Sequence, residues 1–308
     1  IIIYLIIAIF PLLPAEYGDD LKFVYIGGSL LFPIAVLPFY LSNSKQYPSL
    51  SVYNRIVAIL QILIVPLSLF QVYAHTNSIF FFREVTWILS GMSFFLPLFT
   101  DSFYLYRIIS IFVGIGIPYV LLSIHYEVLY YICLGILLFT WFTAETKTSS
   151  YKLSNLNIRL SLIYLVLYFV AFFGTGNIAS ISSFEISSTY RFVRIFDPFL
   201  MAALLLFKLM IPFVLVCCCY ILINRATNQP ESGSFFTVIN MYDIIAISFF
   251  FLVRDSGSWK DIGVSIGHYI VACAFIVIQL GLFCTALIFL NKTAPKLSTS
   301  NNTKLHTN

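Results

Sequence analysis

Two charged side chains, Lys208 and Asp243, stand inside long apolar runs. Lys208 comes ten residues after Pro198, and Asp243 comes nine after Ser234 in the next run. At about 1.5 Å of rise per residue both are expected near the middle of a bilayer. An unpaired charge there is costly, so a Lys208–Asp243 pair between neighbouring spans is the expected solution. Such a pair is either a substrate or proton site, or a buried structural link that orients two helices.

A second group of chemistry-bearing residues lies in two polar stretches: Asn177, Arg191 and Arg194 in one, Arg254, Asp255, Trp259 and Lys260 in the other. Arginine forks suit phosphate oxygens, so these residues could hold phospholipid or phosphorylated glycan groups. The alternative is interfacial anchoring, because Tyr190, Phe192 and Trp259 would form an aromatic belt at headgroup level.

Other chemistries find no footing. His75, His125, His268 and His306 do not converge, and neither HExxH nor GxSxG occurs. A metal site built from this chain alone is not expected, and no basic run points to nucleic acid. Gly174-Thr175-Gly176-Asn177-Ile178-Ala179 fits a dinucleotide pattern, but an apolar helix precedes it where a strand is required. It reads instead as a glycine-terminated helix and turn. The cysteines Cys133, Cys217, Cys218, Cys219, Cys273 and Cys284 all fall in apolar runs, as small hydrophobes do. Acylation near Cys217–Cys219 is the alternative use.

The elements that must position these residues follow from composition. Sixty per cent of the 308 residues are hydrophobic, 10% are charged, and mean hydropathy is +0.95. A water-facing shell cannot enclose that much apolar surface, so the solvent is lipid. The apolar runs have helix length, which predicts an all-α polytopic integral membrane protein, a bundle of about ten transmembrane helices. The spans are expected near Ile1–Leu13 (truncated), Phe23–Leu41, Ile56–Tyr73, Val85–Phe99, Ile108–Ser123, Val128–Thr143, Ile158–Phe173, Pro198–Ile223, Ser234–Val253 and Gly263–Leu290. Residues 1–290 thus form one transmembrane domain, and 291–308 a polar tail of disordered composition. The start at Ile1, inside an apolar run and without a basic leader, reads as the tail portion of a longer chain.

The longest break in the pattern runs from Phe173 to Lys208. Ser182-Ser183-Phe184-Glu185 fits a capping box, and Asp197-Pro198 a helix start with an aspartate cap and proline at the first position. Pro33, Pro38, Pro66, Pro97, Pro118 and Pro212 lie within spans, where they are expected to kink them. Alternate loops carry ten Lys and Arg on one side against six on the other. That places the first set, with the tail and its two sequons, in the cytosol, and the Gly174–Asp197 and Arg254–Ile262 loops on the opposite side.

Three blocks carry a resemblance. FGTGNIASISSFEISSTYRF, DPFLMAALLLFKLMIPFVLV and the run ending DIIAISFFFLVRDSGSWKDIGVSIGHYI resemble, in order and spacing, the C-terminal membrane domain of the PIG-N family of GPI ethanolamine phosphate transferases. The first 170 residues resemble that family in hydropathy and span number. The resemblance implies an endoplasmic reticulum enzyme that transfers phosphoethanolamine from phosphatidylethanolamine to the first mannose of a GPI-anchor precursor. It also implies an N-terminal lumenal catalytic domain, similar to alkaline phosphatases, with a threonine nucleophile and two zinc ions. No catalytic residue of that domain has a counterpart here. The expectation is a bundle that presents lipid-borne donor and acceptor, with Asn177, Arg191, Arg194, Arg254, Asp255 and Trp259 lining the lumenal mouth. The rival readings are a polytopic lipid or ion transporter or scramblase, built around Lys208 and Asp243, and a plain membrane anchor.

Overall fold

A computed structural model of the protein describes residues 2–10, 21–44, 48–77, 82–100, 103–148, 156–174 and 186–291. Ten α-helices follow one another in these segments: α1 (Ile2–Ile9), α2 (Leu21–Ser42), α3 (Val52–Thr76), α4 (Arg83–Phe95), α5 (Tyr104–Leu121), α6 (Glu127–Thr148), α7 (Leu156–Phe173), α8 (Pro198–Ala226), α9 (Glu231–Phe251) and α10 (Trp259–Phe289). They correspond in order to the ten apolar runs. Seven of them (α2, α3, α5, α6, α8, α9 and α10) are long and apolar enough to cross a membrane. The protein is an all-α polytopic membrane protein, as its composition requires.

Two helices are shorter than the spans expected: α1 has eight residues and α4 has 13, whereas the apolar part of α7, Ile158–Phe173, has the expected bounds. α4 ends at Phe95, where the chain tightens into a 3-10 turn, Leu96–Phe99, that contains Pro97. The other five prolines do lie inside helices, in α2, α3, α5 and α8.

Each interior proline removes a donor, and hydrocarbon offers no water to replace it. For Pro118 the orphaned acceptor is the carbonyl four residues back, Gly114 O, and the Ser93 hydroxyl of α4 donates to it at 2.6 Å. A β-carbon on Gly114 would lie 2.5 Å from Pro97 Cγ and 2.8 Å from Ser93 O. Glycine therefore permits the approach that lets serine repair the proline gap.

α5 is the central helix. Residues 105–121 are buried except Ile108, and α2, α3, α4 and α8 pack around it. α8 also packs on α6, α7 and α10, and α9 lies against α7 and α10. The helices alternate in direction, which sorts the loops into two ends. At one end Arg107 Nε donates to Phe289 O at 2.6 Å, and Arg225 Nη1 donates to Leu290 O at 2.6 Å, so two guanidinium groups satisfy the last carbonyls of α10. Arg225 also pairs with Glu231 at 2.7 Å, and Arg159 pairs with Glu145. This is the Arg107 end; α6, α8 and α10 begin at the other.

The start of α8 is built as its sequence demands. Asp197 accepts from Phe199 N at 3.1 Å and Leu200 N at 3.2 Å, and Pro198 takes the first position. Ser258 caps α10 in the same way through Asp261 N at 3.2 Å. The expected capping box at Ser182–Glu185 and the polar tail beyond Asn291 lie outside the described residues.

Candidate functional site

α6 and α8 run parallel, both leaving the same end of the bundle. Lys208 Nζ stands 2.7 Å from Glu127 Oε2, and one side chain is 13% exposed, the other 16%. Farther along the same two helices the Cys219 thiol donates to Leu138 O at 3.5 Å. Both contacts join residues 81 positions apart, so the two helices keep one register over three turns. Glu127 opens α6, and Lys208 is therefore level with the first turn of α6.

That corrects the expected Lys208–Asp243 pair. Lys208 takes Glu127 as its partner, and no ion pair joins it to Asp243. α8 and α9 make little contact, and Asp243 is half-buried on α9, beside Tyr242. Tyr242 faces α10 and α7: Gln279 Nε2 donates to its hydroxyl at 3.2 Å, and Tyr164 OH donates to Gln279 Oε1 at 2.8 Å. Mid-depth for Lys208 follows only if Pro198 marks the membrane surface. α8 instead continues for ten residues, about 15 Å, beyond the level at which α6 begins.

Aromatic side chains pack at this end of the bundle. Tyr119 of α5 is fully buried, and its hydroxyl has no hydrogen-bond partner among the described residues. Tyr119 stacks on Tyr131 at 5.0 Å, and Tyr131 OH donates to Phe112 O at 2.6 Å. Tyr130 donates to Val170 O at 2.7 Å, and a β-carbon on Gly174 would lie 2.1 Å from the Tyr130 ring. Glycine at the end of α7 thus lets that helix close against α6.

The segment before α8 seals this end. Its 3-10 turn, Ser187–Arg191, sits over the α5–α6 connection. Arg191, 4% exposed, donates from Nη1 to Leu121 O at 2.8 Å and Ser123 O at 2.9 Å. The Trp87 indole donates to Phe192 O at 3.0 Å and packs edge-on against the Phe192 ring at 5.1 Å, while Arg83 Nε reaches Tyr190 O at 3.4 Å. Arg191 therefore caps the C-terminal carbonyls of α5, a structural task that its loop position did not suggest.

The remaining expected rim residues do not gather with it. Arg194, Arg254 and Asp255 are exposed, Trp259 is 92% exposed, and Asn177 lies outside the described residues. The shared end of α8 and α10 at Arg225 and Phe289 lets depth be compared. Trp259 lies 30 residues from Phe289, and Lys208 17 residues from Arg225. The difference puts Trp259 about 20 Å beyond Lys208 along the bundle axis. This end is stepped: α8 and α10 stand above their neighbours, and the Glu127–Lys208 pair sits at their foot.

Sequence reasoning missed Glu127 and Tyr119. Glu127 falls just outside the expected span Val128–Thr143, and an acid directly before an apolar run is the signal that was available. Tyr119 carried none, since tyrosine is common in this chain.

No group of three or more His, Cys, Asp or Glu side chains among the described residues could hold a metal ion. The two zinc ions implied by the family resemblance thus have no fitting site in them, and no step is routed through these residues by way of a metal.

A family model described as Phosphatidylinositolglycan class N (PIG-N) matches residues 1–258. The chain is 33% identical over 326 residues to the GPI ethanolamine phosphate transferase 1 of Mus musculus, covering 96% of this chain and 34% of the relative. The protein of that name from Homo sapiens gives the same identity and coverage. The one from Schizosaccharomyces pombe is 31% identical over 309 residues, covering 92% of this chain and 32% of the relative. The chain therefore spans about a third of the length of the curated relatives it matches. No solved structure matches.

Proposed function

The chain belongs to the PIG-N family, and from that premise we propose that it is the membrane portion of a transferase of GPI-anchor assembly in the endoplasmic reticulum. Relatives named GPI ethanolamine phosphate transferase 1 support this reading. In it, phosphoethanolamine passes from phosphatidylethanolamine to the first mannose of the GPI precursor. The mannose hydroxyl oxygen bonds to phosphorus, the bond from phosphorus to the glycerol oxygen breaks, and the hydroxyl proton ends on the released diacylglycerol. That chemistry belongs to a lumenal domain outside this chain, which by resemblance would carry the two zinc ions. The tail after Asn291 faces the cytosol on the same reading, following the loop charges.

The bundle's own share is positioning. Donor and acceptor are both anchored in the bilayer, so holding them at one surface replaces a search by an oriented encounter. The observation that carries this is the Glu127–Lys208 pair at 2.7 Å, a polar shelf at one end of an otherwise apolar bundle. Charges at such a place are costly and mark substrate paths in membrane proteins. The transporter alternative leaned on Lys208 facing Asp243, which it does not.

The test uses the full-length protein in microsomes. Glu127→Gln and Lys208→Met together should lower transfer to the mannolipid precursor at least tenfold, with expression and monodispersity retained. Unchanged transfer by the folded double variant would overturn the assignment. Replacing residues 1–290 by a single span should abolish transfer, whereas a mere anchor would survive that exchange.

A further inference from the structure

Below the Glu127–Lys208 pair, on the same two helices, a cavity of about 390 Å³ opens between α2, α5, α6 and α8. Leu37, Phe112, Gly135, Ile136, Phe139 and Leu215 shape it, and no charged side chain lines it. The one thiol on its wall, Cys219, is already engaged with Leu138 O. A β-carbon on Gly135 would lie 2.3 Å from the Phe112 ring, so glycine lets that ring lie flat against α6, where it stacks on Tyr131 at 4.7 Å. Ile136 and Phe139 are about half exposed, so the cavity opens sideways toward lipid. Buried water needs two to four polar partners and finds none here, whereas hydrocarbon is the surrounding solvent. The size falls within the ligand-pocket range of about 300–1,000 Å³.

Register ties this cavity to the pair. Gly135 lies eight residues from Glu127, and Leu215 lies seven from Lys208. Both spacings keep one helical face and drop about 11 Å along the axis. Half a hydrocarbon core is about 15 Å deep. An acyl chain hanging from a headgroup at the pair therefore reaches the cavity. The pair offers a carboxylate and an ammonium, the complement of a headgroup that carries its own ammonium and phosphate. Lys208 itself shows what this carboxylate takes as a partner: an ammonium nitrogen 2.7 Å from Glu127 Oε2, an approach that a primary ammonium can make and a quaternary one, shielded by its methyl groups, cannot.

We propose that the Glu127–Lys208 pair and the α2–α5–α6–α8 cavity form one binding site for a phospholipid with a primary-ammonium headgroup. The headgroup occupies the pair and one acyl chain occupies the cavity. This rests on the positioning role proposed above and assigns the donor side of it to named residues.

The experiment places the full-length protein in phosphatidylcholine nanodiscs with a trace of phosphatidylethanolamine bearing a mid-chain diazirine. After irradiation, labelled peptides are mapped by mass spectrometry. Label should concentrate around Leu37, Ile136 and Phe139, at least fivefold above the exposed positions Leu63 and Phe236. Unlabelled phosphatidylethanolamine should compete, and a phosphatidylcholine bearing the same diazirine should label these positions at least fivefold less. Ile136→Trp, at the open rim, should cut the label at least fivefold, and Leu37→Trp from the facing wall should do the same. Even labelling of all lipid-facing helices would overturn the site, and equal labelling by the phosphatidylcholine probe would overturn its headgroup half. Transfer is measured separately: normal labelling in a transfer-dead Glu127→Gln, Lys208→Met protein would sink the headgroup assignment and leave the positioning role standing.

Discussion

Lys208 and Glu127 meet at 2.7 Å across 81 positions of sequence, and Cys219 and Leu138 meet across the same interval. Two parallel helices with no slip between them convert a charge near the middle of one apolar run into the partner of a charge at the start of another. Most of what the structure adds to the sequence follows from that offset.

The pair should behave as a coupled unit. Removing one partner leaves the other charge uncompensated and partly buried, a loss of about 3–5 kcal/mol where burial is deep and less at this depth. Lys208→Met and Glu127→Gln should each lower the thermal midpoint more than the double variant does. A double-mutant cycle of Lys208 with Asp243→Asn should show coupling below about 0.5 kcal/mol. Strong Lys208–Asp243 coupling would contradict the geometry.

Arg191 should matter to the fold and Arg194 should not. Arg191→Gln removes charge-assisted bonds to Leu121 O and Ser123 O, each worth about 1.5–3 kcal/mol. Exposed Arg194→Ala and Arg254→Ala should stay within about 0.5 kcal/mol of the parent. Thermal unfolding of the three variants in one detergent decides it.

The serine repair at Pro118 predicts a graded pair of effects. Ser93→Ala should cost about 0.6–1.7 kcal/mol, the range for interhelical hydrogen bonds in membranes. Gly114→Ala drives a methyl group into Pro97 and Ser93 O and should cost about 1–3 kcal/mol. If Gly114→Ala proves neutral in thermal unfolding, α4 and α5 do not approach as described.

Arg107 and Arg225 hold the last turn of α10. Arg107→Ala should raise amide hydrogen exchange in residues 286–291 at least tenfold and leave exchange near Trp259, at the far end of the same helix, unchanged. A uniform rise along α10 would mean general loosening, not a lost cap.

Much of the architecture was legible without coordinates. Ten apolar runs became ten helices in order, because hydrocarbon admits only segments that satisfy their own amides. Asp197-Pro198 announced the start of α8, because capping is a contact between near neighbours. The site was less legible. Arg191 looked like a phosphate ligand because loop arginines often are, and nothing local shows that the carbonyls of Leu121 and Ser123 lie within its reach.

The sequence by itself determined the solvent, the helices, their order and alternating direction, and the helix start that proline and aspartate impose. All of these rest on composition or on contacts within a turn or two. Only the tertiary structure decided which charge answers Lys208, how far α8 and α10 stand above their neighbours, and where four helices leave a cavity. Those depend on the axial offset between helices, which side-chain packing sets and which counting residues along one strand of chain cannot supply.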